Sequence, residues 1–279
     1  MSSLDKDTFG SRMKMFEGIE TERILMPKLP IYARLDGKSF HTFTRGMKRP
    51  YDINLSQLMV NTTKHLVEKT NALIGYVQSD EISLVWNFPE PDSEPLFGGR
   101  IMKVSSILAG MCSSYFTREA IKLFPDLLDK QLPAFDCRVI NLPSKEEATN
   151  MFLWREIDAT KNAISMAARA HFSHKRLQNK SGPQMQEMLF QEHGINFNDY
   201  PAFFKRGTWV RKVRVEKEVT EEDLKHIPEK YRQLPVTSVI RSVVKELDMP
   251  SFRKVTNRTG VVFHAEDPIT NMGNETIIG

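Results

Sequence analysis

Cysteine is scarce, with only Cys112 and Cys137 in 279 residues. Two thiols cannot supply a four-ligand zinc site or a disulfide framework, so the chain reads as a cytoplasmic protein. Long apolar runs are missing as well: none approaches the ~20 residues a membrane-spanning helix needs. The opening MSSLDKDTFG carries no apolar stretch of the secretory kind. No membrane partner is therefore expected. Internal repeats and low-complexity tracts are absent too. Neither sign of charge dominates, with 39 Lys+Arg against 35 Asp+Glu for a net charge of +4. A nucleic-acid partner would have to show itself in local clusters, not in the total. Such clusters exist at Lys48-Arg49, at Lys175-Arg176 with Lys180, and at Lys205-Arg206 with Arg211, Lys212 and Arg214. Each is also readable as ordinary solvated surface.

What is present is an ordinary globular mix, 40% hydrophobic and 27% charged. A chain of this length buries roughly 75% of its extended surface on folding, enough to need no covalent staple. Residues 29–35 form a β-type apolar run that ends at Asp36-Gly37, a turn dipeptide. Residues 53–70 place Leu55, Leu58, Met59, Leu66 and Val67 at helical spacing. Two short apolar runs, 73–77 and 82–88, flank Gln78-Ser79-Asp80-Glu81 and predict a β-hairpin with acidic residues at its tip. A helix follows over 100–124, a strand over 134–142, and a long helix over 146–172 opened by Ser144 as N-cap. Beyond residue 180 the pattern weakens to a short helix, a Gly/Asn/Pro-rich stretch, strands near 208–218 and a polar tail. Strand, helix, hairpin, helix, strand predicts an α+β fold whose sheet carries helices on one face. We place a catalytic domain at 1–143 and a helical arm with C-terminal extension at 144–279.

The chemistry concentrates at two places. Asp36 follows a buried strand, and Asp80 and Glu81 occupy the hairpin tip. Carboxylates at the ends of neighbouring strands converge, and like charges held close raise each other's pKa unless a cation intervenes. Magnesium suits such a site, because it takes oxygen ligands and is usually held by one or two carboxylates plus substrate phosphates. Gly37, without a Cβ, leaves its own carbonyl free to face a ligand. Lys38, His41, Arg49, Arg100 and Lys103 are candidate phosphate contacts. Arg100 and Lys103 share the first turn of a helix whose N-terminus attracts anions. The plainer alternative, that Asp36 only forms a turn and Asp80-Glu81 only a solvated tip, stays open on spacing alone.

Several side chains read as structural. Cys112 lacks a recognisable base and reads as core. His171 and His174 lack a third metal ligand, and Trp154 and Trp209 read as buried. The basic run 205–214 is a candidate for RNA backbone contact, which needs positive charge without base reading.

The same residues carry a resemblance. Arg34-Leu35-Asp36-Gly37-Lys38-Ser39-Phe40-His41, Gln78-Ser79-Asp80-Glu81-Ile82-Ser83, Arg100-Ile101-Met102-Lys103-Val104-Ser105-Ser106 and Phe135-Asp136-Cys137-Arg138-Val139 resemble, in order, motifs of the tRNAHis guanylyltransferase (Thg1) family. So do Trp154-Arg155 with Asp158, and the segments Gly194-Ile195-Asn196-Phe197-Asn198 and Lys205-Arg206-Gly207-Thr208. The resemblance implies a palm-type catalytic domain that adds nucleotides to the 5′ end of tRNA, in the direction opposite to ordinary polymerases. It implies ATP and GTP or other nucleoside triphosphates as substrates, and a homotetramer. By position, Asp36, the Gly37 carbonyl and Asp80 would hold two magnesium ions, with Glu81 as the adjoining catalytic acid. Ser39, Phe40, His41, Arg49, Asp52 and Ser79, with Lys38, would surround the nucleotide, and Arg34, Lys103 and Arg138 would touch triphosphate oxygens. Lys175, Arg176, Lys205, Arg206 and Arg211 are the expected RNA contacts. Two departures matter: Ala159-Thr160-Lys161-Asn162 stands where guanylate-adding members carry H-I-N-N, and Met185-Gln186-Glu187 stands for K-N-E. Both favour the Thg1-like protein branch, which fills in missing 5′ nucleotides by copying the opposite strand. The alternatives are guanylate addition to tRNAHis and a cyclase-like palm enzyme that uses no RNA.

Overall fold

The structure is a computed structural model, and it describes residues 3–90, 92–128, 131–218 and 238–271. In chain order the elements are α1 (Ser3–Thr21), β1 (Ile31–Gly37), α2 (Phe40–Phe43), α3 (Ile53–Thr70), β2 (Ile74–Gln78) and β3 (Glu81–Trp86). Then come α4 (Ile101–Leu123), α5 (Pro125–Leu128), β4 (Phe135–Asn141), α6 (Lys145–His171), α7 (His174–Leu177) and α8 (Gly182–His193). The chain closes with α9 (Ala202–Arg206), β5 (Thr208–Glu218), β6 (Ser238–Leu247) and α10 (Arg258–His264).

The strands form one six-stranded sheet in the order β4-β1-β3-β2-β5-β6, and its strand pairs are antiparallel. Side chains alternate across the pleat. Ala33, Leu35, Ile82 and Leu84 join Leu58, Leu66, Leu108 and Phe116 from α3 and α4 in one core. Tyr32, Tyr76, Val85 and Trp209 point the other way and meet Phe152 of α6 with Phe252, Val255 and Val261. Helices therefore cover both faces, not one as the element order predicted. β1, β2 and β3 are short and largely buried on both sides, which is why they read as near-continuous apolar runs. A third cluster joins the C-terminal half of α6 to α8 through Ala163, Ala167, Leu189, Phe197 and Phe204, and this forms the helical arm.

Local chemistry explains the boundaries. Asp52 caps α3 by accepting from the Asn54 and Leu55 amides, and Ser144 caps α6 by accepting from Glu147. Ser181 and Gln184 close α8 with a reciprocal capping box. The hairpin turns on Ser79 and Asp80, with Ser79 at φ 52, a left-handed conformation, and Gln78 paired to Glu81.

The polar tail departs most from its reading. Residues 238–247 form β6, paired along its length with β5, and residues 272–279 lie outside the described residues. Ile240 is 74% exposed and β6 has no buried residue where burial is described. Val244 and Leu247 touch the two cores, but most of the strand is exposed, so little burial imposes alternation. Among the described residues no helix is long and apolar enough to cross a membrane.

Gly207 joins α9 to β5 at φ 77 and ψ −172, a region essentially confined to glycine. A Cβ there would lie 2.5 Å from the Val77 carbonyl oxygen. Gly207→Ala is expected to cost about 3 kcal/mol or more. Chemical denaturation checks this: a midpoint within error of the wild type contradicts it.

Candidate active site

The antiparallel register builds the site. Asp36 lies opposite Glu81 on β3 and Asp136 on β4. Directly paired residues project from the same face, so three carboxylate-bearing positions form a row across one end of the sheet. Two residues back, Arg34 lies opposite Ser83 and Arg138, which sets a basic row behind the acidic one. Asp136 was not singled out from sequence. Its signal was the period-two pattern Asp136-x-Arg138, the antiparallel mirror of Arg34-x-Asp36.

The hairpin tip is stitched to this end, because the Gly37 amide donates to the Asp80 carbonyl at 3.1 Å. Burial raises the pKa of Asp80, and the Asp36 charge adds to the rise. Its own backbone, the Ser79 hydroxyl and His41 oppose it. Asp36 and Asp80 are thus close enough to repel. Among the described residues no three His, Cys, Asp or Glu side chains converge to hold a metal. A cation here would have two carboxylates at most, completed by backbone, water or substrate oxygens.

Glu81 stands differently. Its carboxylate accepts from Arg155 at 2.5 Å and lies 3.7 Å from Arg34. Burial raises its pKa, and the two guanidiniums oppose the rise. Glu81, expected as the adjoining catalytic acid, is engaged by both guanidiniums, and the contact ties α6 to the hairpin. Arg155 also donates to Asp158 at 3.1 Å.

The other expected nucleotide contacts divide. Ser79, Lys38, Ser39 and His41 flank the acidic end and are exposed there, with Gly37 half-buried beside them. Gly37 owes its missing Cβ to Phe40, whose ring carbon would lie 2.3 Å away. Phe40 itself is core, with its ring 5.0 Å from Phe135 and 5.5 Å from Phe116, so only its backbone is left to meet a ligand. Arg49 is exposed, while the Asp52 carboxylate is engaged as the α3 cap. Lys103 and Arg100 are not brought to the acidic row. The start of α4 pairs with Arg23 and Leu25, and Met26 in turn bonds Asn141 at the far end of β4. Ser113, which accepts from the Phe135 amide, is the part of α4 beside the site, about 15 Å along the helix from Lys103.

Among the expected RNA contacts, Arg211 is buried and donates to the Val261 carbonyl, so it anchors α10 and does not face RNA. Arg176 is held by both oxygens of Glu192, and Lys205 donates to the Asn198 carbonyl. Arg206 is half-buried, and Lys175 is exposed. The basic run 205–214 is dispersed because a strand turns alternate residues inward. Trp209 is buried as expected at 2%, but Trp154 is 50% exposed, against its reading as core.

The family model for tRNAHis guanylyltransferase (Thg1) matches residues 10–143, and that for the Thg1 C-terminal domain matches residues 146–250. The chain is 30% identical over 207 residues to the tRNA(His) guanylyltransferase of Saccharomyces cerevisiae, covering 68% of this chain and 86% of the relative. It is 30% identical over 214 residues to that of Candida glabrata, covering 71% and 87%. A solved bacterial tRNA(His) guanylyltransferase (Thg1)-like protein in complex with ATP superposes with a TM-score of 0.75 at 32% identity, covering 91% of this chain and 99% of that one.

A raised folded-state pKa means that ionising Asp80 costs stability. The contribution is intact below the unfolded-state pKa and is lost as pH rises through the folded-state value. Asp80→Asn is therefore expected to raise Tm in chelator at neutral pH by about 2 °C, with the gain disappearing at acid pH. Melting curves across pH check this, and a lower neutral Tm for the variant contradicts it.

Proposed function

The chain belongs to the tRNAHis guanylyltransferase (Thg1) family, a family of nucleotidyltransferases, and from that premise we propose a magnesium-dependent enzyme of 5′-end repair. It adds nucleotides to the 5′ end of truncated tRNA in the 3′→5′ direction, copying the opposite strand of the acceptor stem. The observation that carries this reading is the bond from the Gly37 amide to the Asp80 carbonyl at 3.1 Å, which holds the hairpin tip with Asp80 against the end of β1 that carries Asp36. Both side chains supply only oxygen donors, while Arg155 is committed to Glu81 and Arg34 lies 3.7 Å from that carboxylate with its other guanidinium nitrogens left over. That donor set fits a hard divalent cation that keeps waters and takes substrate phosphate.

Asp36, Asp80 and the Gly37 carbonyl would hold two magnesium ions, which supply charge neutralisation for the attacking and leaving oxygens of nucleotidyl transfer. The chain's own groups do the rest by position. Arg34 and Arg138 offer phosphate oxygens paired cationic donors. His41 and Ser79 border the same end and orient the nucleotide. Glu81 holds Arg155 and so fixes α6 against the hairpin. An oxygen of the 5′ monophosphate attacks the α-phosphorus of ATP, the α–β phosphoanhydride breaks, pyrophosphate leaves, and the 5′ end carries an adenylyl phosphoanhydride. The 3′-hydroxyl of the incoming nucleotide then forms a bond to that 5′ phosphorus, and AMP leaves.

Template dependence is supported at the turn of α6 that departs from the guanylate-adding pattern. Ala159 is buried, the Thr160 hydroxyl bonds the Lys205 carbonyl, and Asn162 donates to Asp158. Those side chains serve the fold, so discrimination falls to base pairing with the template while the protein holds phosphates. The reading includes a homotetramer, supported by exposed Phe9, Phe16 and Ile19 on α1, since a contiguous apolar face marks a protein contact.

Asp36→Ala and Asp80→Ala are each expected to lower nucleotide addition by about a thousandfold or more while the protein stays folded. The assay uses magnesium, ATP, all four nucleoside triphosphates and 5′-truncated tRNAs with varied opposing bases. Products restricted to complementary nucleotides support the reading, and untemplated guanylate confined to tRNAHis contradicts it. Light scattering tests the tetramer.

A further inference from the structure

Trp154 is the part of this surface that neither the metal-type carboxylates nor the phosphate row uses. The chain has 3 tryptophans. Trp86 and Trp209 are 1% and 2% exposed, whereas Trp154 is 50% exposed. A tryptophan so exposed forgoes much of the burial that usually justifies it, worth about 25 cal/mol for each Å² left in water. Its surroundings are specific. The Arg155 guanidinium lies 4.6 Å from the ring centroid and that of Arg34 lies 5.5 Å from it. Both arginines are fixed by Glu81, which sits directly across from Asp36. Arg34 is in turn the cross-strand partner of Arg138. The ring is therefore tied, through one arginine each, to the acidic row and to the basic row.

Resting on the nucleotidyltransferase reading, we infer that Trp154 is the stacking platform for the base of a nucleotide whose phosphates lie on Arg34 and Arg138. Every base has a π-face, so stacking grips a nucleotide without selecting its identity. That is the property a template-copying enzyme needs. Guanidiniums over the ring also favour an adjacent anionic ligand, because they bring positive charge beside it. The base could belong to a free nucleoside triphosphate or to the 5′-terminal nucleotide of tRNA, and the chemistry of the ring is common to both.

The experiment reads intrinsic fluorescence of the full-length protein with magnesium, using Trp154→Phe as the blank for the exposed emission. ATP, GTP, inorganic tripolyphosphate and 5′-monophosphorylated tRNA are titrated separately. Expected is quenching by a nucleoside triphosphate or by tRNA, whichever supplies the base, and none by tripolyphosphate. In steady-state assays Trp154→Ala is expected to raise KM for that same ligand about tenfold (about 1.4 kcal/mol), with kcat changed by less than about threefold. Trp154→Phe is expected to recover most of the loss. Tripolyphosphate binding should be unchanged in Trp154→Ala. Equal loss of tripolyphosphate binding overturns the inference, since the ring would then serve only to set the arginines. Absence of quenching by every nucleotide ligand overturns it as well. Quenching by nucleotide in a protein that extends no tRNA leaves the platform standing and removes the proposed function. Normal KM values in an active Trp154→Ala enzyme remove the platform alone.

Discussion

The site depends on the pairing of β1 with both its neighbours. Because β1 runs antiparallel between β3 and β4, Asp36 falls in line with Glu81 and Asp136. Lining up carboxylates costs free energy unless each finds a partner of opposite charge. The structure settles the cost unevenly. Glu81 is given Arg155 and Arg34, with its side chain and that of Arg155 only 14% and 12% exposed. Asp80 is drawn in by its backbone carbonyl, which accepts from the Gly37 amide, and among the described residues no guanidinium is placed on its carboxylate as on that of Glu81. An ion pair this buried contributes little net stability, yet removing one partner would strand the other at a cost of about 3–5 kcal/mol. Its value is geometric: it locks α6 to the hairpin and leaves Asp36 and Asp80 as the carboxylates that the proposed function assigns to a divalent cation. The basic row lies two residues behind, about 7 Å along the strand, a span that a polyphosphate chain can bridge.

Packing on the same face of the sheet, further along the strands, secures this arrangement. Glu156, adjacent to Arg155, is 2% exposed and accepts from the Phe252 amide at 2.7 Å and from Ser251 at 3.3 Å. Burial raises its pKa, and these donors with the charge of Arg206 oppose the rise. Arg211 reaches the Val261 carbonyl from β5. Phe252 then packs on Trp209, which packs on Phe152. The C-terminal segment thus fixes the rotation of α6 about its axis. With Glu156 turned inward, Arg155 points to the hairpin and Trp154 to solvent. Packing far from the carboxylates decides what the site presents.

Much of this was legible. The bounds of α3 follow from apolar spacing and a capping aspartate, and the hairpin follows from two apolar runs around Ser79-Asp80. What was hidden depends on long-range pairing. Asp136 becomes part of the row only through register, which no local pattern states. Arg211 looked like surface because a run of cations in sequence is not a patch in space once a strand turns alternate residues inward. Trp154 looked like core on composition, and only the rotation of α6 exposes it. Lys103 had the right charge on the right helix, but α4 meets the site at Ser113 instead of at its start. β6 left no trace because most of it is exposed, and so little burial writes alternation into its sequence.

The distribution of polar groups also bears on how bases are chosen. A pocket that reads a base needs unpaired donors or acceptors aimed at its edge, and buried polar groups without partners are costly. Among the described residues every buried side-chain nitrogen or oxygen is already hydrogen-bonded. On the helix turn after Arg155 the polar side chains of Thr160 and Asn162 are spent on the chain itself. What remains at this end of the sheet is suited to features all nucleotides share: carboxylates for a cation, guanidiniums for phosphate, and an exposed indole for any aromatic ring. Such a surface gains affinity without preference. That is the surface the proposed template-copying reaction calls for, in which a second strand of nucleic acid supplies the edge contacts the protein withholds.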